Sequence, residues 1–155
     1  MSMDFSQTKE VQLDALMPII REQLKNGNSV RLFPKGTSML PMLRQGIDSV
    51  ILSPISGKLN KYDLPLYQRG NGQYVLHRIV EVGETYSCIG DNQFCYERGL
   101  RHEQMIAVVT EFFRGEKKIS VNCLSYRLYC RFWHGSRTVR SYCYLAISRL
   151  RRLLK

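Results

Sequence analysis

The chain has 155 residues, 44% hydrophobic and 23% charged, a balance that excludes low-complexity disorder and fits one domain with a real core. No apolar run reaches the roughly 18 residues needed to cross a bilayer, and Asp4, Lys9, Glu10 and Asp14 stand where a secretory leader would be apolar. The formal charge of +10 is concentrated at one end: residues 1–110 hold 12 Lys/Arg against 11 Asp/Glu, residues 111–155 hold 11 against 2, and no acid follows Ser120.

In chain order, residues 7–26 read as a helix. Val11, Leu13, Leu16, Ile19, Ile20 and Leu24 recur at three- and four-residue spacing, and Gly27-Asn28 supplies a stop. Pro18 predicts either a kink or a later start to the regular part. From Ser29 to about Ile119 the texture changes to short strands divided by turns. The strand candidates are Val30–Phe33, Val50–Leu52, Leu64–Gln68, Tyr74–Val82, Tyr86–Ile89 and Met105–Phe113, with Gly70-Asn71-Gly72 suited to a hairpin. After about residue 123 helical spacing returns: Val139, Cys143, Ala146, Leu150 and Leu153 form a stripe, and Gly135-Ser136 divides the region in two. The expected fold is mainly β and antiparallel, with an N-terminal helix (1–27), a β domain (28–119) and a basic amphipathic helical tail (120–155).

The five cysteines are odd in number and include no CxxC, so reduced thiols are the simpler expectation. Cys88, Cys95 and His102 fall at even seven-residue steps that match no zinc-site spacing. Neither a metal nor a cofactor is expected.

Three short stretches carry chemical potential: Gly36-Thr37-Ser38-Met39-Leu40-Pro41, Leu76-His77-Arg78-Ile79-Val80 and Ile89-Gly90-Asp91-Asn92. A serine hydroxyl becomes a nucleophile only when a base takes its proton and a third group orients that base. Ser38 lies in a glycine-containing turn, and His77 shares a strand face with Val75 and Ile79. In a hairpin with Gly83-Glu84-Thr85 as its loop, paired positions sum to 168 and His77 stands opposite Asp91. With a two-residue loop, His77 faces Gly90 instead and Asp91 must turn back from the strand end. Taken one by one these are also an ordinary turn serine, a core histidine and a Gly-Asp-Asn turn.

In this order, the stretches resemble the signal peptidases and the LexA-like self-cleaving repressors, over roughly residues 28–115. Ser38-Met39-Leu40-Pro41 is similar to the nucleophile box, and Lys61-Tyr62-Asp63-Leu64-Pro65-Leu66-Tyr67 to the next strand box, with Tyr62 where Gly is usual. His77-Arg78-Ile79-Val80 and Gly90-Asp91-Asn92 resemble the endoplasmic-reticulum and archaeal branch, which uses histidine in place of lysine. The resemblance implies a β-rich serine-peptidase fold with Ser38 as nucleophile, His77 as general base, Asp91 as orienting acid and Asp63 as accessory carboxylate. It places the oxyanion hole at Ser38 and Gly36. Membrane-anchored relatives carry an apolar anchor and repressors a DNA-binding head; neither is read here, so the expectation is a cytoplasmic relative that matures a peptide or precursor.

Two other classes stay open. One is a non-catalytic binding module that docks a membrane or protein through the tail; the other is a repressor-like, DNA-associated remnant. For the tail, two expectations stand level: a helix pair that packs its apolar stripe on the domain with solvated arginines outside, and an anionic membrane surface at the inner face of the membrane. Both come ahead of nucleic acid, because the charge comes with Phe132, Trp133 and Tyr144 and without a nucleic-acid module.

Overall fold

The computed structural model describes residues 13–153, apart from the side chains at 148 and 150–153. Positions 7–12 of the expected first helix and the last two residues of the expected tail lie outside the described residues. Helix α1 is Leu13–Lys25, with Asp14 in its first turn and Lys25 in its last, matching the helix dipole at both ends. It runs through Pro18, so the regular part does not wait for the proline. Met17, Ile20 and Leu24 form its buried stripe.

Among the described residues nine strands follow: β1 Val30–Leu32, β2 Ser49–Ser53, β3 Pro65–Gln68, β4 Tyr74–Leu76, β5 Arg78–Val82, β6 Tyr86–Ile89, β7 Glu97–Leu100, β8 Met105–Arg114 and β9 Lys117–Ser120. They pair antiparallel in two sheets. One runs β1-β2-β8-β3-β4, with β9 also on β8; the other is β5-β6-β7. Helices α2 (Leu124–Gly135) and α3 (Arg137–Leu153) complete the chain. Helices and strands claim comparable shares of the described residues, so the fold is mixed α/β rather than mainly β: an N-terminal helix, a curled antiparallel β body and a C-terminal helical segment.

The stretch expected as one strand over Tyr74–Val82 is two, in different sheets, and His77 is the residue at the break. His77 therefore shares no strand face with Val75 and Ile79, although those two still meet in one apolar cluster with Tyr67, Tyr86 and Cys88. A larger cluster joins α1, the first sheet and α2 through Met17, Leu43, Val50, Leu66, Phe112 and Tyr126.

The hairpin β5–β6 resolves the register question by using both registers. Val82 pairs with Tyr86 across the three-residue loop, yet Arg78 pairs with Ile89, because the pairing slips by one between Ile79 and Glu81. Such a bulge re-aims every side chain beyond it. Carried one step further, the slipped register sets His77 against Gly90, and the expected position of Asp91 opposite His77 is lost.

Candidate active site

Ser38 lies in a turn that follows Gly36, whose φ of +88° is one that glycine adopts without steric cost. Met39, Met42 and Leu43 bury just after it and anchor the turn in the larger core. The Gly90-Asp91-Asn92 loop grips the same turn from the other side. The Asn92 amide donates to the Ser38 carbonyl at 2.8 Å, and Asn92 Nδ2 donates to the Thr37 carbonyl at 3.3 Å. Gly90 approaches so closely that a Cβ there would lie 2.6 Å from the Ser38 oxygen.

Ser38, half-buried, and His77, 3% exposed, line one cleft of about 240 Å³ together with Lys35, Tyr74, Leu76 and Gln93. No hydrogen bond joins Ser38 Oγ to His77 among the described residues. His77 Nδ1 is 3.0 Å from Glu97 Oε1 and 3.3 Å from the buried Tyr67 hydroxyl. A carboxylate can only accept, so Nδ1 carries the proton and Nε2 keeps its lone pair. Burial lowers the His77 pKa below the ordinary imidazole value, outweighing the pull of Glu97, so the ring is neutral at neutral pH. Glu97 is itself held by Arg69, whose Nε donates to Oε2 at 2.7 Å while Nη2 bonds Oε1. Burial opposes the Glu97 anion, but Arg69, Tyr67 and His77 together keep its pKa below the usual value.

Asp91 is engaged elsewhere. Its carboxylate, fully buried, accepts two parallel bonds from Arg78, Nε to Oδ1 and Nη2 to Oδ2, both at 2.9 Å. Tyr129 donates to Oδ2 at 3.2 Å, His134 Nε2 to Oδ1 at 3.1 Å, and the Trp133 indole to the Asp91 carbonyl at 2.9 Å. Burial disfavours the ionised form, yet Arg78 and His134 win and hold the Asp91 pKa well below the carboxylate range. The expected direct pairing of Asp91 with His77 is therefore replaced by Glu97 on His77 and Arg78 on Asp91, and the register slip is the physical reason. Asp91 fastens the loop that holds the serine turn to α2.

Asp63 is not in the Ser38 cleft. It closes a turn by accepting from the Asn60 amide at 2.7 Å and lines a separate cleft of about 490 Å³ between that turn and α2. Burial raises its pKa. Its neighbour Tyr62 has φ of +78°, a left-handed conformation that glycine adopts at less cost than an L-residue. At the expected oxyanion hole, the Gly36 amide is spent on Gln45 Oε1 at 2.7 Å, while the Ser38 amide carries no hydrogen bond among the described residues.

All five cysteines are free, and burial pushes the Cys88 thiol up to about 12. Among the described residues no group of three or more His, Cys, Asp or Glu could hold a metal ion, and no helix is long and apolar enough to cross a membrane. Sequence reasoning did not reach Tyr67, Arg69 and Glu97. The available signal for Glu97 was β7, Glu97–Leu100, a short strand interrupted by Gly99 at φ +73°, whose charge hid it. No family model, no curated protein and no solved structure matches the chain.

Proposed function

We propose that the chain is a serine endopeptidase of the signal-peptidase and LexA-like kind, with Ser38 as nucleophile, His77 as general base and Glu97 as the carboxylate that orients the base. The observation that carries the reading is that Ser38 and a neutral His77, its Nδ1 proton held by Glu97, line one cleft. In the reaction, His77 Nε2 takes the Ser38 proton as Oγ attacks the substrate carbonyl. The Ser38 amide donates to the developing oxyanion. His77 then returns the proton to the leaving amine, and water, deprotonated by the same ring, releases the acyl group. Strand β4 is an outer strand of its sheet and Tyr74 and Leu76 line the cleft, so an extended substrate adds alongside it by main-chain hydrogen bonds. An anionic membrane surface at the basic helices, with the protein peripheral at the inner face, is the partner that the charge favours.

The second reading is a binding module that retains the cleft without turnover. The engaged Gly36 amide and the missing Ser38–His77 hydrogen bond favour it. Peptide termini separate the two. Wild type incubated with cellular precursors generates new termini by mass spectrometry, and Ser38→Ala does not; identical termini from both would leave the binding module standing.

A further inference from the structure

Helices α2 and α3 present two faces. The inner face holds Tyr126, Cys130, Trp133, His134 and Arg137, which pack on the body and around Asp91. The outer face holds Leu124 at 71% exposure, Leu128 at 55%, Phe132 at 76%, Val139 at 64% and Tyr142 at 69%. Cys143, Ala146 and Arg149 are exposed as well.

Each helix carries its own outer strip. The Ser136 amide donates to the Phe132 carbonyl at 2.9 Å and the Arg140 amide to the Ser136 carbonyl at 3.0 Å, so Ser136 closes α2 and opens α3. Positions 124, 128 and 132 recur at helical spacing along one exposed side of α2, and 139, 142 and 146 along one exposed side of α3, with Arg127, Arg131 and Arg149 beside them. On α2 the strip is not a core face waiting for its own domain, because Tyr126 and Cys130 on the opposite side already fill that role, whereas α3 beyond Ser141 is exposed on its other sides as well, through Tyr144, Leu145 and Ile147.

We propose that these strips form a docking surface for an anionic phospholipid bilayer, with the helices lying in the headgroup plane and Leu124, Leu128, Phe132, Val139 and Tyr142 entering the acyl boundary. Charge complementarity selects the occupant. Arginines flank the apolar side chains, and no acidic residue follows Ser120 to oppose a negative leaflet. Nucleic acid matches the arginines but offers nothing to five large exposed apolar side chains. The inference supplies residues for the anionic partner named above and does not depend on peptide cleavage.

The test is flotation of the full chain with vesicles of phosphatidylcholine alone and of phosphatidylcholine with phosphatidylglycerol in a two-to-one ratio. Binding is expected at least about tenfold tighter to the anionic vesicles and weaker as salt rises. The double change Leu128→Ser with Phe132→Ser leaves every charge in place and weakens binding by about tenfold or more; Arg127→Gln with Arg131→Gln does so while keeping the apolar strip. Hydrogen exchange on wild type needs no variant and places vesicle-induced protection in α2 and α3. Ser38→Ala floats as wild type does, which separates this result from the fate of the peptidase reading. Flotation unaffected by the double serine change, no preference for anionic vesicles, tighter binding to duplex DNA, or a dimer in solution that the serine change dissociates would each overturn the proposal.

Discussion

Gly90 and Ser38 are in closer contact than any side chain at position 90 would permit: a Cβ there would fall 2.6 Å from the Ser38 carbonyl oxygen and 3.0 Å from Gln93 Oε1. Backbone cannot yield as a flexible side chain can. Gly90→Ala therefore pushes the serine turn out of place and costs about 1–3 kcal/mol, as overpacking does. Urea unfolding checks the stability, and loss of the hydrogen bond from the Asn92 amide to the Ser38 carbonyl is visible as faster exchange of the Asn92 amide.

Tyr62 offers a comparison that isolates backbone strain. At φ +78° an L-residue pays about 1–2 kcal/mol that glycine does not. Its ring contacts His134 at 5.9 Å, so removing the ring has its own cost. Tyr62→Gly and Tyr62→Ala lose the same ring, but only the glycine variant relieves the strain. The glycine variant is expected to be the more stable of the two by about 1 kcal/mol. The reverse order would place Tyr62 in an unstrained conformation.

Asp91 and Arg78 are an ion pair with no solvent exposure at either side chain. Removing one partner strands the other, and Asp91→Ala is expected to destabilise the protein by about 3–5 kcal/mol. The change also releases Tyr129 and His134 from the loop, leaving only the Trp133 indole on the main-chain carbonyl, so α2 loses exchange protection along with global stability. Full stability with loss of activity alone would return Asp91 to a direct catalytic role.

Two histidines make folding sensitive to mild acid. Burial lowers the pKa of both His77 and His134 below the ordinary 6.5, despite their carboxylate neighbours. His134 also accepts from Arg137 Nη2 through Nδ1 at 2.9 Å, which requires the neutral ring. Below 6.5 the unfolded chain binds protons that the folded chain refuses, so stability rises with pH in that window and is lost as pH falls through it. Asp91 and Glu97 have depressed values and lose their contribution only below the ordinary carboxylate range. Urea midpoints should decline between about pH 6.5 and 5, and His134→Gln should flatten part of the decline. A flat profile would mean that both rings charge freely in the fold.

Much of this was readable before any coordinates. Periodicity located α1, the two C-terminal helices and most strands, because apolar spacing reports which face is buried. The serine and histidine boxes led to residues that line one cleft. The carboxylate was misplaced because a one-residue slip near Val80 leaves no mark on composition, yet it moves Asp91 away from His77 and toward Arg78. Glu97 escaped notice because its strand, Glu97–Leu100, is short, charged and broken by a left-handed glycine. Strand β9 was hidden in the same way by Lys117 and Lys118. The inward role of Tyr129, Trp133 and His134 was equally hidden, since polar aromatic residues on a basic helix read as surface until their partner is known.

The central claim, that Ser38 is activated by a histidine that Glu97 orients, can be tested without a substrate. A fluorophosphonate phosphonylates an activated serine, displacing fluoride while the base takes the hydroxyl proton, and peptide mapping locates the adduct. Wild type should carry one adduct, at Ser38. His77→Ala should slow its formation by about 10²–10⁴-fold. Glu97→Gln should slow it less and move the acid limb of the rate to lower pH, because the carboxylate raises the His77 pKa. No adduct at Ser38, or equal rates in wild type and His77→Ala, would contradict the account.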